Sequence, residues 1–334
     1  MRIRSIIFTL LIALPLTAQA REQIRVVGST TVFPFIAAAA EQFGREGNFR
    51  TPIVEATGTG GGFKTFCGGV GKEFPDISDA SRPIKPAEVQ LCEQNNIGKV
   101  AELKIGYDGI VLANARHAPA FQLTRKEIFL ALARDVPVDG KLVRNPYHNW
   151  HEIAPKLPDQ PILIFGSPST SGTRDAFVEL VMQVGCKQFP EFSKSFSNDE
   201  DMKHECGYMR EDGAFVEEGE NGNLIIQKLL HNENALGIFG YNFLEQNESN
   251  VQASMIEGIA PNYATITSGQ YTLARSLYIY VKLAHLPMIP GLREFVREVL
   301  SDAATGDDGY LIMRGLLPLS ASDHQAMQKA AEHL

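Results

Sequence analysis

Three short segments of the sequence are rich in serine, threonine and glycine, and each lies between a predicted strand and a predicted helix. They are GSTT at 28–31, TGTGGG at 57–62 and STSGT at 169–173. The first backbone N–H groups of a helix have no partner within it, and the helix dipole adds positive potential there. Glycine lets the backbone approach a ligand, and hydroxyl groups donate or accept hydrogen bonds. Together the segments predict an anion site, although each alone is typical of ordinary helix capping.

Charged residues beside these segments could complete such a site. Arg82 and Arg174 each carry a planar guanidinium that can bind two phosphate oxygens, although either could instead form an ion pair with a nearby acid. A protonated phosphate also needs an acceptor for its proton, whereas sulfate does not. Asp79, which shares strand parity with Ser81, and Asp108 are the candidate acceptors. Both could equally be ordinary turn or solvent-facing acids.

The remaining pattern predicts the elements that must position these residues. Short apolar strands alternate with amphipathic helices. Strands are predicted at 24–27, 53–56, 100–103, 110–113, 162–165, 235–239 and 276–281. Helices are predicted at 31–43, from 63 onward, and at 86–95, 125–132, 174–184, 223–230, 291–301 and 321–334. This repeated order of strand and helix predicts a mostly parallel sheet covered by helices.

The first twenty residues have the pattern of a secretory signal peptide. Arg2 and Arg4 precede an apolar run at 6–16, and Ala18 and Ala20 stand just before the expected cleavage point. The apolar run is shorter than the ~20 residues that a membrane-spanning helix needs. No Cys follows it that could carry a lipid. We therefore expect export to the periplasm, cleavage after Ala20, and a mature protein that does not insert into the membrane.

Length and charge narrow the possible classes of protein further. About 314 residues would follow the cleavage point, enough for two domains of roughly 150 residues each. The net charge is −8, which argues against nucleic acid or an anionic membrane as a partner. No Pro-, Gly- or Ser-rich linker marks a boundary, so we expect interleaved lobes. One lobe would comprise 21–104 and 276–334 and the other 107–270, with crossings near 105–108 and 270–275.

The four cysteines are Cys67, Cys92, Cys186 and Cys206. An even number in an exported protein favours two disulfides, for which three pairings are possible. Pairing of nearest neighbours, 67 with 92 and 186 with 206, would place one bridge in each lobe. The spacings are wider than those of ordinary zinc sites, so we expect the cysteines to be structural.

Taken in chain order, several segments resemble a known family. They are GSTTVFPF (28–35), GTGGGFKTFC (58–67), DASRPIKP (79–86), IGYDGI (105–110), NW (149–150), SGTRDAF (171–177), GENGNL (219–224), GIFGY (237–241) and YTLARSLYIYV (271–281). From about residue 24 to 320 the chain is similar to the phosphate-binding periplasmic proteins of high-affinity phosphate ABC transporters. The resemblance implies two doubly wound α/β lobes joined by a two-strand hinge, as in type II periplasmic binding proteins. Inorganic phosphate would be buried between the lobes.

The resemblance also implies a set of ligand contacts. They are Thr31, Val32, Phe33, Thr59, Ser81, Ser171, Gly172 and Thr173. The first segment adds Thr30, and the neighbouring guanidinium groups add Arg82 and Arg174. Ser167 and Ser81 stand where the best-known pattern has an Arg and an Asp, and the two arginines of this chain could replace that charge.

Two other functions stay open at this point, namely a secreted phosphatase and a surface phosphate scavenger or adhesin on the same scaffold. A metal-dependent phosphatase needs clustered His and Asp, but the eight His are scattered and none lies in the three segments. His148 and His151 form the closest pair, and no GxSxG sequence occurs. We expect a monomeric binding protein without catalytic residues, metal or cofactor, which delivers phosphate to an inner-membrane ABC permease complex.

Overall fold

The computed structural model describes residues 23–169, 171–219 and 221–334 of the 334-residue chain. The predicted signal peptide at 1–20 lies outside the described residues. Within these ranges, every helix is too short or too polar to cross a membrane.

Strands and helices alternate along the described chain. The strands are β1 (Arg25–Gly28), β2 (Ile53–Ala56), β3 (Ile77–Ala80), β4 (Val100–Ala115), β5 (Gln122–Leu123), β6 (Asp135–Val138), β7 (Lys141–Arg144), β8 (Ile164–Gly166), β9 (Phe215–Glu217), β10 (Leu236–Gly240), β11 (Val251–Ala253), β12 (Met255–Ile256) and β13 (Ala274–Lys282). The helices are α1 (Phe33–Arg45), α2 (Thr59–Phe66), α3 (Pro86–Gln94), α4 (Arg125–Leu132), α5 (Trp150–Ile153), α6 (Gly172–Phe177), α7 (Gln183–Cys186), α8 (Pro190–Ser195), α9 (Asp199–Cys206), α10 (Gly222–His231), α11 (Tyr241–Gln246), α12 (Tyr263–Thr267), α13 (Leu292–Val299), α14 (Asp302–Thr305) and α15 (Ala321–Glu332). A π-helical turn, Val178–Met182, joins α6 to α7.

The main sheet consists of two parallel groups joined by an antiparallel pair. Its strand order is β2-β1-β3-β13-β4-β10-β8-β9, with β11 also on β4. Strand β1 is parallel to β2 and β3, and β8 is parallel to β10 and β9. Strands β13 and β4 run antiparallel to each other and link the two groups. Each parallel group carries helices, so the fold is two α/β lobes connected through β4 and β13.

Strand β4 is the longest of the described strands and is shared by both groups. Its residues 100–109 pair with β13, and its residues 110–115 pair with β10 and β11. The predicted crossings at 105–108 and 270–275 lie in or next to this pair. Gly106 is needed here because the Leu317 carbonyl approaches so closely that a Cβ would lie 2.6 Å from its oxygen. Whether the lobes divide and bend at these crossings stays a prediction.

Buried apolar side chains form separate clusters on the two sides of this pair. One extends from Tyr107 to Leu273 and includes Leu317 and Leu319. The main cluster on the other side combines residues 24–105 with residues 277–331. Burial of such surface contributes roughly 25 cal/mol per Å², so each cluster supports its own lobe.

The two predicted disulfides are present, and the nearest-neighbour pairing is confirmed. Cys67 is bonded to Cys92, which ties the end of α2 to α3. Cys186 is bonded to Cys206, which ties α7 to α9. Each bridge joins two helices on the same side of the β4–β13 pair.

Candidate functional site

The segment at 28–31 forms the turn from β1 into α1. Ser29 is buried, and its Oγ accepts hydrogen bonds from the amides of Thr31 (3.2 Å) and Val32 (3.4 Å). The amide of Phe33 donates to the Ser29 carbonyl at 2.9 Å. The amides expected to face a ligand therefore already have an internal acceptor. The two bonds to the hydroxyl are long and correspondingly weak, so a charged ligand could replace them.

The glycine-rich segment at 57–62 is part of a helix rather than a loop before one. Helix α2 begins at Thr59, so the predicted beginning at Phe63 was wrong by one turn. Gly58 takes a left-handed φ of 73° as the N-cap, a conformation that glycine adopts without strain. Thr59 Oγ1 lies 3.2 Å from the hydroxyl of Ser81 and accepts from its amide at 3.3 Å. Two predicted ligand residues from different elements are thus neighbours.

Helix α6 begins directly against the first segment. Ser171 is its N-cap and is buried, and its Oγ accepts from the amide of Thr173 at 3.2 Å. A Cβ at Gly172 would lie 3.2 Å from the carbonyl oxygen of Thr30 and 3.5 Å from the Cα of Thr31. Residues far apart in the sequence therefore meet where two helices begin, which is the arrangement expected for an anion site.

A cavity of about 200 Å³ lies at this meeting point. Its lining includes five predicted residues, Thr31, Asp108, Ser171, Gly172 and Thr173. It also includes Asn242, Phe243, Arg314 and Gly315, which the sequence did not single out. Asn242 and Phe243 follow the carboxyl end of β10, where ligands commonly bind in α/β sheets, so that rule could have found them.

The two predicted arginines already have acidic partners. Arg82 donates to both carboxylate oxygens of Glu88, at 2.8 and 2.7 Å. Arg174 lies 3.6 Å from a carboxylate oxygen of Glu217 and stacks over the ring of Phe215 at 4.6 Å. Burial lowers the pKa of Arg174, although Glu217 opposes this change.

Arg174 also lines a different cavity. This cavity has a volume of about 710 Å³ and contains Tyr208, Phe215 and Glu217 in its lining. Neither Arg82 nor Arg174 is among the residues that line the 200 Å³ cavity. Their part in ligand binding stays a prediction.

Asp79 is an unusual buried carboxylate. It is 1% exposed, and neither of its oxygens has a hydrogen-bond partner of ordinary geometry among the described residues. One of them lies so close to Gly28 that a Cβ there would be 2.1 Å away. Burial raises the pKa of Asp79 from 3.8 to about 8, and the nearby Ser29 amide lowers it only slightly. The group can therefore hold a proton near neutral pH.

Asp108 lies on β4 opposite Arg275 of β13. Burial raises the pKa of Asp108, while the positive charge of Arg275 opposes that change. Nε of Arg275 is 3.6 Å from Oδ2 of Asp108, an ion pair beyond ordinary hydrogen-bond distance. Arg275 also donates to Thr31 Oγ1 and forms an ion pair with Glu179.

Arg275 was missed by sequence reasoning. Its segment at 271–281 was noted, but a single Arg within a strand gives no local sign of a site. Its position becomes meaningful only through the pairing of β13 with β4. Among the described residues, no group of three or more His, Cys, Asp or Glu could hold a metal ion.

Comparison with known proteins places this geometry in a family. Residues 15–303 match a model described as the PBP superfamily domain. The phosphate-binding protein PstS of Staphylococcus saprophyticus is 30% identical over 297 residues, which cover 86% of this chain and 79% of that protein. Protein SphX of Synechocystis is 31% identical over 293 residues, covering 86% and 76%.

A solved structure has the same overall fold. The crystal structure of a possible phosphate binding protein from Planctomyces limnophilus superposes with a TM-score of 0.74 at 29% identity. The superposition covers 93% of this chain and 98% of that one. The chain belongs to the PBP superfamily, and within it to the family of the substrate-binding protein PstS.

Proposed function

We propose that this protein captures inorganic phosphate in the 200 Å³ cavity between its two lobes and delivers it to an ABC permease. The observation that carries the proposal is the contact of Gly172, at the beginning of α6, with Thr30 and Thr31, at the beginning of α1. Two helix N-termini and the hydroxyls of Thr31, Ser171 and Thr173 surround one small cavity. Such donors suit a tetrahedral oxyanion and need no metal.

The proposed ligand contacts keep the set predicted from the sequence. They are Thr30, Thr31, Val32, Phe33, Thr59, Ser81, Arg82, Ser171, Gly172, Thr173 and Arg174. Those that line the cavity are the inner part of the set. Thr59 and Ser81 would contribute from α2 and β3, because α2 packs so closely on β1 that a Cβ at Gly62 would lie 2.6 Å from the Cα of Gly28.

Two carboxyl groups are proposed to read the protonation state of the ligand. Asp108 lines the cavity and has one oxygen without a hydrogen bond among the described residues. It would accept the proton of HPO₄²⁻ or H₂PO₄⁻, which sulfate lacks at neutral pH. Asp79 lies deeper, against Gly28. It would act as a second acceptor only when ionised, which its pKa of about 8 makes costly near neutral pH.

The cellular context is proposed from the family and from the N-terminus. The family consists of substrate-binding proteins, and we propose that this chain likewise binds its ligand without converting it. The basic and apolar beginning of the chain supports export by a cleaved signal peptide at 1–20. We propose a monomer in the periplasm that docks on an inner-membrane permease complex.

Calorimetric titration tests the ligand. The mature protein, unfolded and refolded to remove any bound phosphate, is titrated with phosphate and with sulfate, each with and without EDTA. We expect one phosphate for each chain, much weaker binding of sulfate, and no effect of EDTA. An absence of phosphate binding, or equal affinity for sulfate, would contradict the proposal. A parallel assay with a chromogenic phosphate ester should show no turnover.

A further inference from the structure

We propose that Arg275 is the cationic residue that holds the oxyanion in the cavity between the segment at 28–31 and α6. The inference rests on the proposed function, because it names the charge that binds the proposed phosphate. It assigns a binding role to a residue on the strand pair that links the lobes.

The position of Arg275 follows from strand register. Its Cα partner on β4 is Asp108, so the two side chains are cross-strand neighbours. The Arg275 side chain is 9% exposed, and one Nη donates to Thr31 Oγ1. Thr31 and Asp108 both line the 200 Å³ cavity. The guanidinium therefore lies directly behind the cavity wall, in contact with two of its lining residues.

Arg275 also has donor capacity left for a ligand. A guanidinium carries five N–H donors. The contacts within the described residues are those to Thr31, Glu179 and Asp108, and the Nε–H has no hydrogen-bond partner there. One oxygen of Asp108 is likewise unpartnered. An oxyanion in the cavity could accept from Arg275 and donate its own proton to Asp108, so that both groups become satisfied.

The other cations near the cavity fit this role less well. Both edges of the Arg82 guanidinium are used by Glu88 and the Pro83 carbonyl. Arg174 lines the separate 710 Å³ cavity. Arg314 lines the 200 Å³ cavity but is exposed, and solvent weakens its attraction for an anion. Arg275 combines burial with proximity, and a buried charge acts through a lower effective dielectric constant.

The partner of Arg275 on α6 and its π-helical continuation provides an internal check. Glu179 forms an ion pair with Arg275, but its side chain is 55% exposed. If Arg275 only stabilised the structure through this pair, removal of either partner would have the same effect. If Arg275 binds the ligand, removal of the glutamate charge leaves the guanidinium free to do so.

The test is calorimetric titration of the full mature chain with inorganic phosphate. Four variants are compared with the wild type: R275Q, R275K, E179Q and the control R125Q. Arg125 forms a half-buried ion pair with Glu257 and lies outside the proposed site. We expect R275Q to raise the phosphate Kd at least ~10-fold, because hydrogen bonds to charged groups are among the strongest. We expect R275K to raise it at least ~3-fold, because Lys lacks the planar fork.

E179Q and R125Q should bind phosphate within about twofold of the wild type. An unchanged Kd in R275Q would overturn the proposal, as would a loss in E179Q equal to that in R275Q. If R275Q does not fold, as judged by thermal unfolding, R275K decides, and an unchanged Kd there would also overturn it. A wild-type protein that binds no phosphate would instead remove the proposed function itself.

Discussion

Asp79→Asn should reverse its effect on stability between pH 5 and pH 9. In the folded protein the Asp79 carboxyl keeps its proton up to a pKa of about 8, whereas in the unfolded chain it ionises near 3.8. Between these values unfolding releases a proton, so the contribution of Asp79 to stability falls as the pH rises. It is greatest below about pH 4 and has been lost above about pH 8. An amide at this position does not titrate and removes this dependence.

The magnitude follows from the two pKa values. Their separation corresponds to about 6 kcal/mol, at about 1.4 kcal/mol for each tenfold change in proton affinity. The new amide would bring N–H donors that lack acceptors, at a cost of about 1–3 kcal/mol. At pH 9 the variant should therefore be more stable by about 3–5 kcal/mol. At pH 5, where the wild-type carboxyl is neutral and also unpaired, the two proteins should agree within about 1 kcal/mol.

Urea unfolding in phosphate-free buffer at pH 5, 7 and 9 measures these differences. The matched control is Asp159→Asn at an exposed position, which should change the free energy of unfolding by less than about 0.5 kcal/mol at every pH. A variant that is equally or less stable than the wild type at pH 9 would show that Asp79 is ionised and well paired in the folded protein. The reasoning from burial would then be wrong.

Three further predictions concern the lobes and their bridges. Gly172→Ala should weaken phosphate binding while changing thermal unfolding little, because its Cβ would press on the Thr30 carbonyl at 3.2 Å only when the lobes are in contact; unchanged affinity would argue against that contact in the bound form. The double replacement of Cys186 and Cys206 by Ser should lower the free energy of unfolding by about 3 kcal/mol, as expected for a bridge across 20 residues; an unchanged urea midpoint would contradict it. Phosphate should reduce the radius of gyration in small-angle scattering if the lobes close about the crossings at 105–108 and 270–275; identical profiles would favour a rigid site.

Much of this architecture follows from local sequence patterns. The alternation of apolar strands with helices predicts the α/β fold, because both elements must bury one face. The pairing of Cys67 with Cys92 and of Cys186 with Cys206 follows from their short separations in the chain. The hydroxyl-rich segments at 28–31 and 169–173 were correctly placed at the beginnings of helices.

Other features depend on contacts between distant residues and have no local signal. Arg275 acquires its position from the register of β13 on β4, and no residue near it in the sequence indicates Asp108 as its neighbour. The acidic partners of Arg82 and Arg174 likewise come from elsewhere, Glu217 from strand β9. The beginning of α2 at Thr59 was missed because three glycines disfavour a helix, while packing of α2 on β1 and β3 compensates for this cost.

A crystal structure of the mature protein with phosphate tests the central claim most directly. We predict one tetrahedral anion for each chain in the 200 Å³ cavity, with Thr31, Ser171 and Thr173 among its hydrogen-bond partners and Asp108 facing a protonated oxygen. Phosphate bound instead in the 710 Å³ cavity beside Arg174, with the contact between Gly172 and Thr30 left empty of ligand, would contradict the account.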